Sequence, residues 1–442
     1  MSTKDLAIDR GRPALATRYR EGWRRVTFSD LVHIAQYAWK DVNTLAKGEG
    51  PIAEFERNFA ALCNTKYALA MNSGTAALHS AYFAVGVKPG TEVIVPSYTF
   101  FATVAPVLQC GGTPVFCDID ERTLTADPDD VERRITPRTR AICVVHMWGN
   151  PAKMDRFAEI ARRHGVALIE DCSHAHGASY QGRPVGSWGD IGCFSLQGEK
   201  AVSGGEAGVA VTSDAALFDT MLVLGHYGRL KNGQVAGTYD TDGLAFGLKF
   251  RPHLYAMVLA CGSLSRLEEL NRRRRRNYEI LGAALEHCPA VRLVDSYPDG
   301  TRGGFLEFIV RYDPVHAGGW SRDLFVKAAR AEGVPIARER YAAIGDRARP
   351  LHESRLFTTR ELSRFEGWPD APAPGDHADG SLPVTRGVAD RLMTLPAFTK
   401  VPERYIRQCA HALRKVADGA AAARAVVPEK PSVRVVAPAG GQ

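Results

Sequence analysis

Several features are missing from this 442-residue chain, and each absence excludes something. No stretch approaches the ~18 to 20 uninterrupted apolar residues of a membrane span, so no membrane association is expected. Met1–Arg12 mixes charged and small residues without an apolar centre, so no secretory leader is expected. No Cys-x-x-Cys pair occurs. The nine cysteines are scattered singly, some in apolar runs (Cys117, Cys143), as expected of reduced packing residues in a cytoplasmic protein, and no metal is expected. Charge of one sign is not in great excess: 56 basic against 49 acidic residues leave +7, too mild over this length to expect nucleic acid as a partner. No G-x-x-x-x-G-K-[ST] is present, and no G-x-G-x-x-G joins a strand to a helix in the N-terminal sheet, which argues against a nicotinamide-dependent dehydrogenase.

What is present is the balance of a soluble globular protein, with 45% hydrophobic and 24% charged residues. The length suits about two domains. Ile52, Phe55, Phe59 and Leu62 fall at helical spacing. After them come brief apolar runs at Tyr67–Met71, Glu92–Val95, Val115–Asp118, Ile142–Val145 and Val166–Ile169, which read as buried strands of a mainly parallel sheet. Between the last two, Pro151–His164 reads as a helix with Pro at its start and Gly165 just past its end. The expected fold is therefore α/β, a three-layer sandwich, with a smaller α+β C-terminal domain. The boundaries expected are an N-terminal segment 1–47, a large domain 48–250, a linking helix and small domain 251–416, and a disordered tail 417–442. A long helical pattern covers Leu254–Glu286, and its Arg272–Arg276 run reads as a solvated helix face. Residues 367–383, rich in Pro, Gly and Asp, read as a mobile loop.

Three segments carry chemistry. In the first, Asp171 stands at the end of an apolar run, the edge where open α/β sheets bind ligands. Farther along, Cys193-Phe194-Ser195-Leu196 leads to Lys200 and the glycine-rich turn Gly204-Gly205-Glu206-Ala207-Gly208. A lysine sheltered between a strand and such a turn loses its proton more readily, and a neutral amine can form an imine. Paired with a carboxylate against a pyridine nitrogen, it matches what pyridoxal phosphate requires. In the second segment, Asn72-Ser73-Gly74-Thr75-Ala76-Ala77-Leu78 follows a strand and opens a helix, which makes either an anion site or a simple helix cap at Ser73. In the third, Pro96-Ser97-Tyr98-Thr99-Phe100-Phe101-Ala102 follows another strand, and Phe100 either stacks on a planar ligand or packs in the core.

Together these segments resemble the fold type I pyridoxal-phosphate aminotransferases of the DegT/StrS group, which act on keto-sugars and keto-cyclitols. The likeness runs from about Gly48 to Leu395 on the strings N-S-G-T-A-A-L, E-D-x-x-H-A-x-G and F-S-x-x-x-x-K…G-E-x-G. It implies Lys200 as the imine-forming lysine, Asp171 against the pyridinium nitrogen, His174 at the ring's 3-oxygen and Phe100 over the ring. Gly74, Thr75 and Ser195 would hold the phosphate. It implies a homodimer with shared active sites, in which the partner commonly supplies an asparagine from a G-x-N-x-R string; here Gly247-Leu248-Lys249-Phe250-Arg251 puts Lys249 in its place. The likeness also makes His146, Trp148, His226, Tyr227, Tyr341 and His352 weaker candidates for substrate contact, with packing the alternative for His146 and Trp148. Glu199, beside the lysine, is expected to point away from the cofactor. The implied reaction moves an amino group from a small-molecule donor, glutamine or glutamate, to a keto-sugar or keto-cyclitol. A dehydratase or lyase of the same family, or a non-catalytic regulatory member, is the alternative; histidine replaces the lysine in such dehydratases, and Lys200 argues against one.

Overall fold

The computed structural model describes residues 5–9, 11–17, 19–230, 247–341, 350–354, 357 and 382–426. Its larger sheet has seven strands: β1 (Tyr67–Met71), β2 (Glu92–Pro96), β3 (Thr113–Cys117), β4 (Thr139–Val145), β5 (Ala167–Asp171), β6 (Ile191–Ser195) and β7 (Gly208–Thr212). Their spatial order is β1-β7-β6-β5-β4-β2-β3. β2, β3, β4, β5 and β6 run parallel, and β7 alone is reversed against both its neighbours. Six of them are buried almost end to end, as the apolar runs require when helices cover both faces, and β3, at the sheet edge, is partly buried at Thr113 and Val115. Both helical layers of the expected three-layer sandwich are therefore present, with apolar cores on either side of the sheet.

A second sheet of four antiparallel strands, β8 (Val291–Leu293), β9 (Glu307–Tyr312), β10 (Ala337–Arg338) and β11 (Leu392–Pro396), has its own core. The N-terminal segment is part of that core: Leu6 and Leu15 are buried in it, and the Glu332 carboxylate accepts from the Ala7 and Ala14 N–H groups at 2.8 Å each. No described helix is long and apolar enough to cross a membrane.

Four details differ from the sequence expectations. The helix before β5 begins at Met154 rather than Pro151, because the Ala152 N–H is held by His146 Nδ1 at 3.0 Å; its left-handed Gly165 end is as expected. The long 254–286 pattern is two helices, Leu254–Leu264 and Leu267–Leu285. The break falls at Arg266, whose guanidinium is tied to Asp30 and to the Arg25 carbonyl. Arg274 is not solvated: it is buried against the Thr399 hydroxyl and the Gly304 and Phe305 carbonyls, and burial pushes its pKa down to about 10. Five consecutive residues span more than a helical turn, so one of the arginines had to face inward. Finally, residues 417–426, expected in a tail, continue the helix Glu403–Val426 and bury Ala417 and Ala420. The rest of that tail, and residues 367–381 of the expected loop, lie outside the described residues.

Candidate active site

The carboxyl ends of the parallel strands meet around a cavity of about 440 Å³ lined by Ser73, Gly74, Thr75, Phe100, Asp171, His174, Ser195, Lys200 and Tyr341. Its floor is the opening turn of the helix Gly74–Ala84, where the Ser73 hydroxyl accepts from the Ala76 N–H at 3.0 Å, so Ser73 is a cap as well as a wall residue. Two glycines let this turn sit where it does. A Cβ on Gly74 would lie 2.8 Å from Ser195 Cβ, and one on Gly208 would lie 2.2 Å from the Ser73 carbonyl oxygen. The turn, the end of β6 and the start of β7 are thus held at backbone distance. Ala207, in the glycine-rich turn, has no left-handed backbone, and its methyl is buried without strain.

Alternation along β5 separates two acids. Asp171 faces the cavity: Oδ2 accepts from Thr103 Oγ1 at 2.8 Å and Oδ1 from the Ser173 N–H at 3.0 Å. Thr103 is in turn bonded to Thr99 Oγ1 at 2.7 Å, so Thr99 donates to it. Glu170 faces the other way and is fully buried; its carboxylate accepts the N–H groups of Gly186, Trp188 and Gly189 and meets His146 Nε2 at 3.1 Å. His146, Glu170 and Cys172 lie close enough to suggest a metal cluster, but Glu170 is already committed to these backbone donors. Glu170→Ala would leave three inward N–H groups without an acceptor. It is expected to cost about 3 kcal/mol or more, at ~1 to 3 kcal/mol for each orphaned group, read as a lower urea midpoint.

Lys200 lies on the loop between β6 and β7. Burial pushes its pKa down to about 8 from 10.5; Asp171 opposes that shift, and Arg340 adds to it. His174 is held neutral, with its pKa far below the usual imidazole value, first by burial and then by Lys200 and Arg340. Its Nδ1 accepts from the Trp148 N–H at 3.4 Å, which leaves Nε2 as the protonated nitrogen and a donor. The His174 ring is stacked on that of Tyr341 (5.7 Å) and tilted by 35° to that of Trp148 (5.2 Å). Phe100 sits on the rim, 43% exposed, edge-on to Tyr341.

The weaker candidates divide. Tyr341 lines the cavity, and Trp148 backs it, stacked on Tyr341 at 5.0 Å with its indole N–H on Tyr98 Oη. His146 does not reach it: both ring nitrogens are engaged, with Glu170 and the Ala152 N–H. His226 Nε2 bonds the Ala70 carbonyl, and His352 Nδ1 bonds Ser97 Oγ at 2.7 Å; both rings are buried outside the cavity wall. Tyr227 is partly exposed and stacks on the Arg251 guanidinium. Lys249 is absent from its own chain's cavity wall, and its carbonyl accepts from Asn72 Nδ2 at 3.2 Å. The residues that sequence reasoning missed are Thr103 and Arg340, both brought in by tertiary packing. Glu199, expected to point away, lines the cavity and lies 3.8 Å from Arg340.

The donor set tests well against pyridoxal phosphate. A buried carboxylate faces a depressed lysine, a neutral imidazole offers Nε2–H, and a glycine-tight helix start with an adjacent serine supplies neutral donors for a dianion.

The family model described as the DegT/DnrJ/EryC1/StrS aminotransferase family matches residues 37–362. An L-glutamine:2-deoxy-scyllo-inosose aminotransferase of Streptomyces kanamyceticus is 33% identical, over 94% of this chain and 97% of its own. A UDP-N-acetyl-3-dehydro-alpha-D-glucosamine 3-aminotransferase of Acidithiobacillus ferrooxidans is also 33% identical, over 82% and 88%. The solved structure of DesI in the presence of its TDP-sugar product superposes with a TM-score of 0.77 at 31% identity, covering 96% of this chain and 99% of that one. Since the matched residues take in the whole seven-stranded sheet and the strand ends that wall the cavity, the chain belongs to the DegT/DnrJ/EryC1/StrS aminotransferase family.

Proposed function

We propose that this aminotransferase uses pyridoxal phosphate to move an amino group from glutamine or glutamate to the carbonyl carbon of a keto-sugar or keto-cyclitol. The observation that carries this is the depressed Lys200 amine sharing one cavity with the Thr103-held Asp171 carboxylate. When bound, the cofactor supplies an electron sink for charge developing at the donor's α-carbon. Asp171 would keep a proton on the ring nitrogen, and Thr103 and the Ser173 N–H fix that carboxylate's direction. His174 would offer its Nε2–H to the ring oxygen, its own orientation held by the Trp148 N–H on Nδ1 and by packing against Trp148 and Tyr341. Gly74, Thr75 and Ser195 would hold the phosphate, and Phe100 would cover the ring. Lys200 Nζ, which releases its proton near pH 8 rather than 10.5, would take the proton from the donor's α-carbon in the first half-reaction and give one to the acceptor carbon in the second. The relatives, a glutamine-dependent cyclitol enzyme and two sugar enzymes by name, support the substrate classes.

The test is spectroscopic. The loaded protein is expected to be yellow, to bleach with glutamine or glutamate, and to recover its colour with a keto-cyclitol or keto-sugar. No bleaching with any amino acid would overturn the assignment. All nine cysteines are free thiols, which supports a reducing, cytoplasmic setting.

The active enzyme is, in the same reading, a homodimer with Lys249 reaching the partner's phosphate site. Lys249→Ala is expected to weaken cofactor affinity by about 1.5 to 3 kcal/mol, as for a hydrogen bond to a charged group. Mixing Lys200→Ala with Lys249→Ala subunits is then expected to restore activity, since one site of each heterodimer carries neither change. With subunit exchange demonstrated and each parent inactive, no recovery would assign Lys249 to its own chain's site or to none.

A further inference from the structure

Two cationic side chains line the cavity among the described residues, Lys200 and Arg340, since His174 is held neutral. Lys200 is taken up by the reaction itself. Arg340 has no role in holding the cofactor described above, yet its placement is specific. Its guanidinium lies over the rings of Tyr341 (5.4 Å) and Trp148 (5.9 Å). Nη1 is anchored on Glu307 Oε1 at 3.0 Å, whereas Nη2 reaches Glu199 Oε2 only at 3.8 Å, beyond hydrogen-bond distance. The Glu199 side chain is 67% exposed. The Tyr341 side chain is a further hydrogen-bonding neighbour of the guanidinium, so the fork is fixed on the Glu307 and Tyr341 sides and faces a weak, easily displaced partner at Glu199.

The two substrates of the proposed reaction differ in charge. An α-amino acid brings a carboxylate one bond from its reacting carbon into a cavity that already holds Asp171, Glu199 and Glu206. Such a carboxylate needs a cation within reach, and a planar guanidinium suits it because it can offer two parallel N–H donors. A keto-sugar carbonyl makes no such demand. We propose that Arg340 binds the α-carboxylate of the amino donor, Glu199 giving way when the donor is bound and pairing again with Arg340 when the carbonyl acceptor takes its place. Glu307 acts as a positioning residue, holding Nη1 so that the other edge of the guanidinium meets the incoming carboxylate. The inference rests on the reading that the donor is an amino acid, and it deepens that reading by naming the group that recognises it.

The test compares L-glutamine with L-glutaminamide, in which a neutral amide replaces the α-carboxylate. Both are titrated calorimetrically into the cofactor-loaded enzyme and followed by bleaching. Arg340→Gln is expected to weaken L-glutamine on the order of 10- to 100-fold while leaving L-glutaminamide within about threefold, the loss fitting charge-assisted hydrogen bonds. Arg340→Lys, which keeps the charge but not the fork, is expected to fall between the two and stands in if the glutamine variant does not fold. Glu199→Gln is expected to move the other way and tighten L-glutamine. An equal loss for both compounds would reduce Arg340 to a packing role, and no loss for either would remove it from the site; both results overturn the proposal. Failure of the aminotransferase reading looks different: the wild-type enzyme would fail to bleach with any amino acid. The calorimetric preference for acid over amide still reports on Arg340 in that case.

Discussion

Lys200→Ala is expected to lower the rate of amino transfer by at least about four orders of magnitude, the upper end of what one positioned acid–base group contributes. The fold is expected to survive, because no other described side chain depends on the lysine's ammonium for a hydrogen bond or an ion pair. Borohydride reduction of the loaded wild-type protein, followed by peptide mass mapping, is expected to place a pyridoxyl group on Lys200; a label on another lysine would overturn the assignment. The depressed pKa adds a pH signature. Trapping of pyridoxal phosphate by the unloaded protein should rise with pH through about 8 and then level, whereas an ordinary lysine would still be gaining near 10.5. The linkage has a definite sign. Between those two values the unfolded chain holds a proton that the folded one has lost, so this group's contribution to stability grows with pH, and it is lost as pH falls through 8. Urea midpoints measured across that window should rise less steeply in Lys200→Ala than in the wild type.

Asp171→Ala is expected to slow transfer on the order of 10²-fold and to weaken cofactor binding, since it removes a hydrogen bond to a charged group. The physical reason lies on both sides of the carboxylate. Toward the cavity, the ring nitrogen loses the charge that keeps it protonated, so the developing carbanion is less stabilised. Behind it, Thr103 Oγ1 and the Ser173 N–H lose their acceptor. Asp171→Asn keeps one acceptor oxygen for the Ser173 N–H, and its amide N–H can donate to Thr103 Oγ1 once that hydroxyl turns to Thr99, so the bonds are kept without the charge and the two contributions separate. If activity follows the charge, Asn resembles Ala in rate but keeps the wild-type urea midpoint. Near-wild-type turnover in either variant would make Asp171 structural. Thr103→Val supplies a milder comparison: the carboxylate stays but loses one donor, and a fall in rate of roughly tenfold is expected.

The α/β architecture was legible in the sequence because strands buried on both faces must be continuous apolar runs, and a register of such runs separated by helical patterns has few packings. The strand-end segments were legible for the same reason: Asn72–Thr75, Pro96–Ala102, Asp171 and Ser195–Lys200 each follow a run, and parallel strands bring those ends to one edge. What the sequence left open was decided by contacts between residues far apart along the chain. His146 follows a strand just as Asp171 ends one, yet Glu170 and the Ala152 N–H draw it away from the cavity. His352 was turned onto Ser97, 255 residues earlier, and Arg274 inward onto the Gly304 and Phe305 carbonyls. Arg340 reached the cavity on a loop whose own sequence has no periodicity to mark it, held there by Glu307 and two aromatic faces. Local sequence determines which segments become strands and what chemistry they carry at their ends. Which side chain turns toward the cavity and which is spent on a buried partner depends on donors and acceptors that only the folded chain brings together.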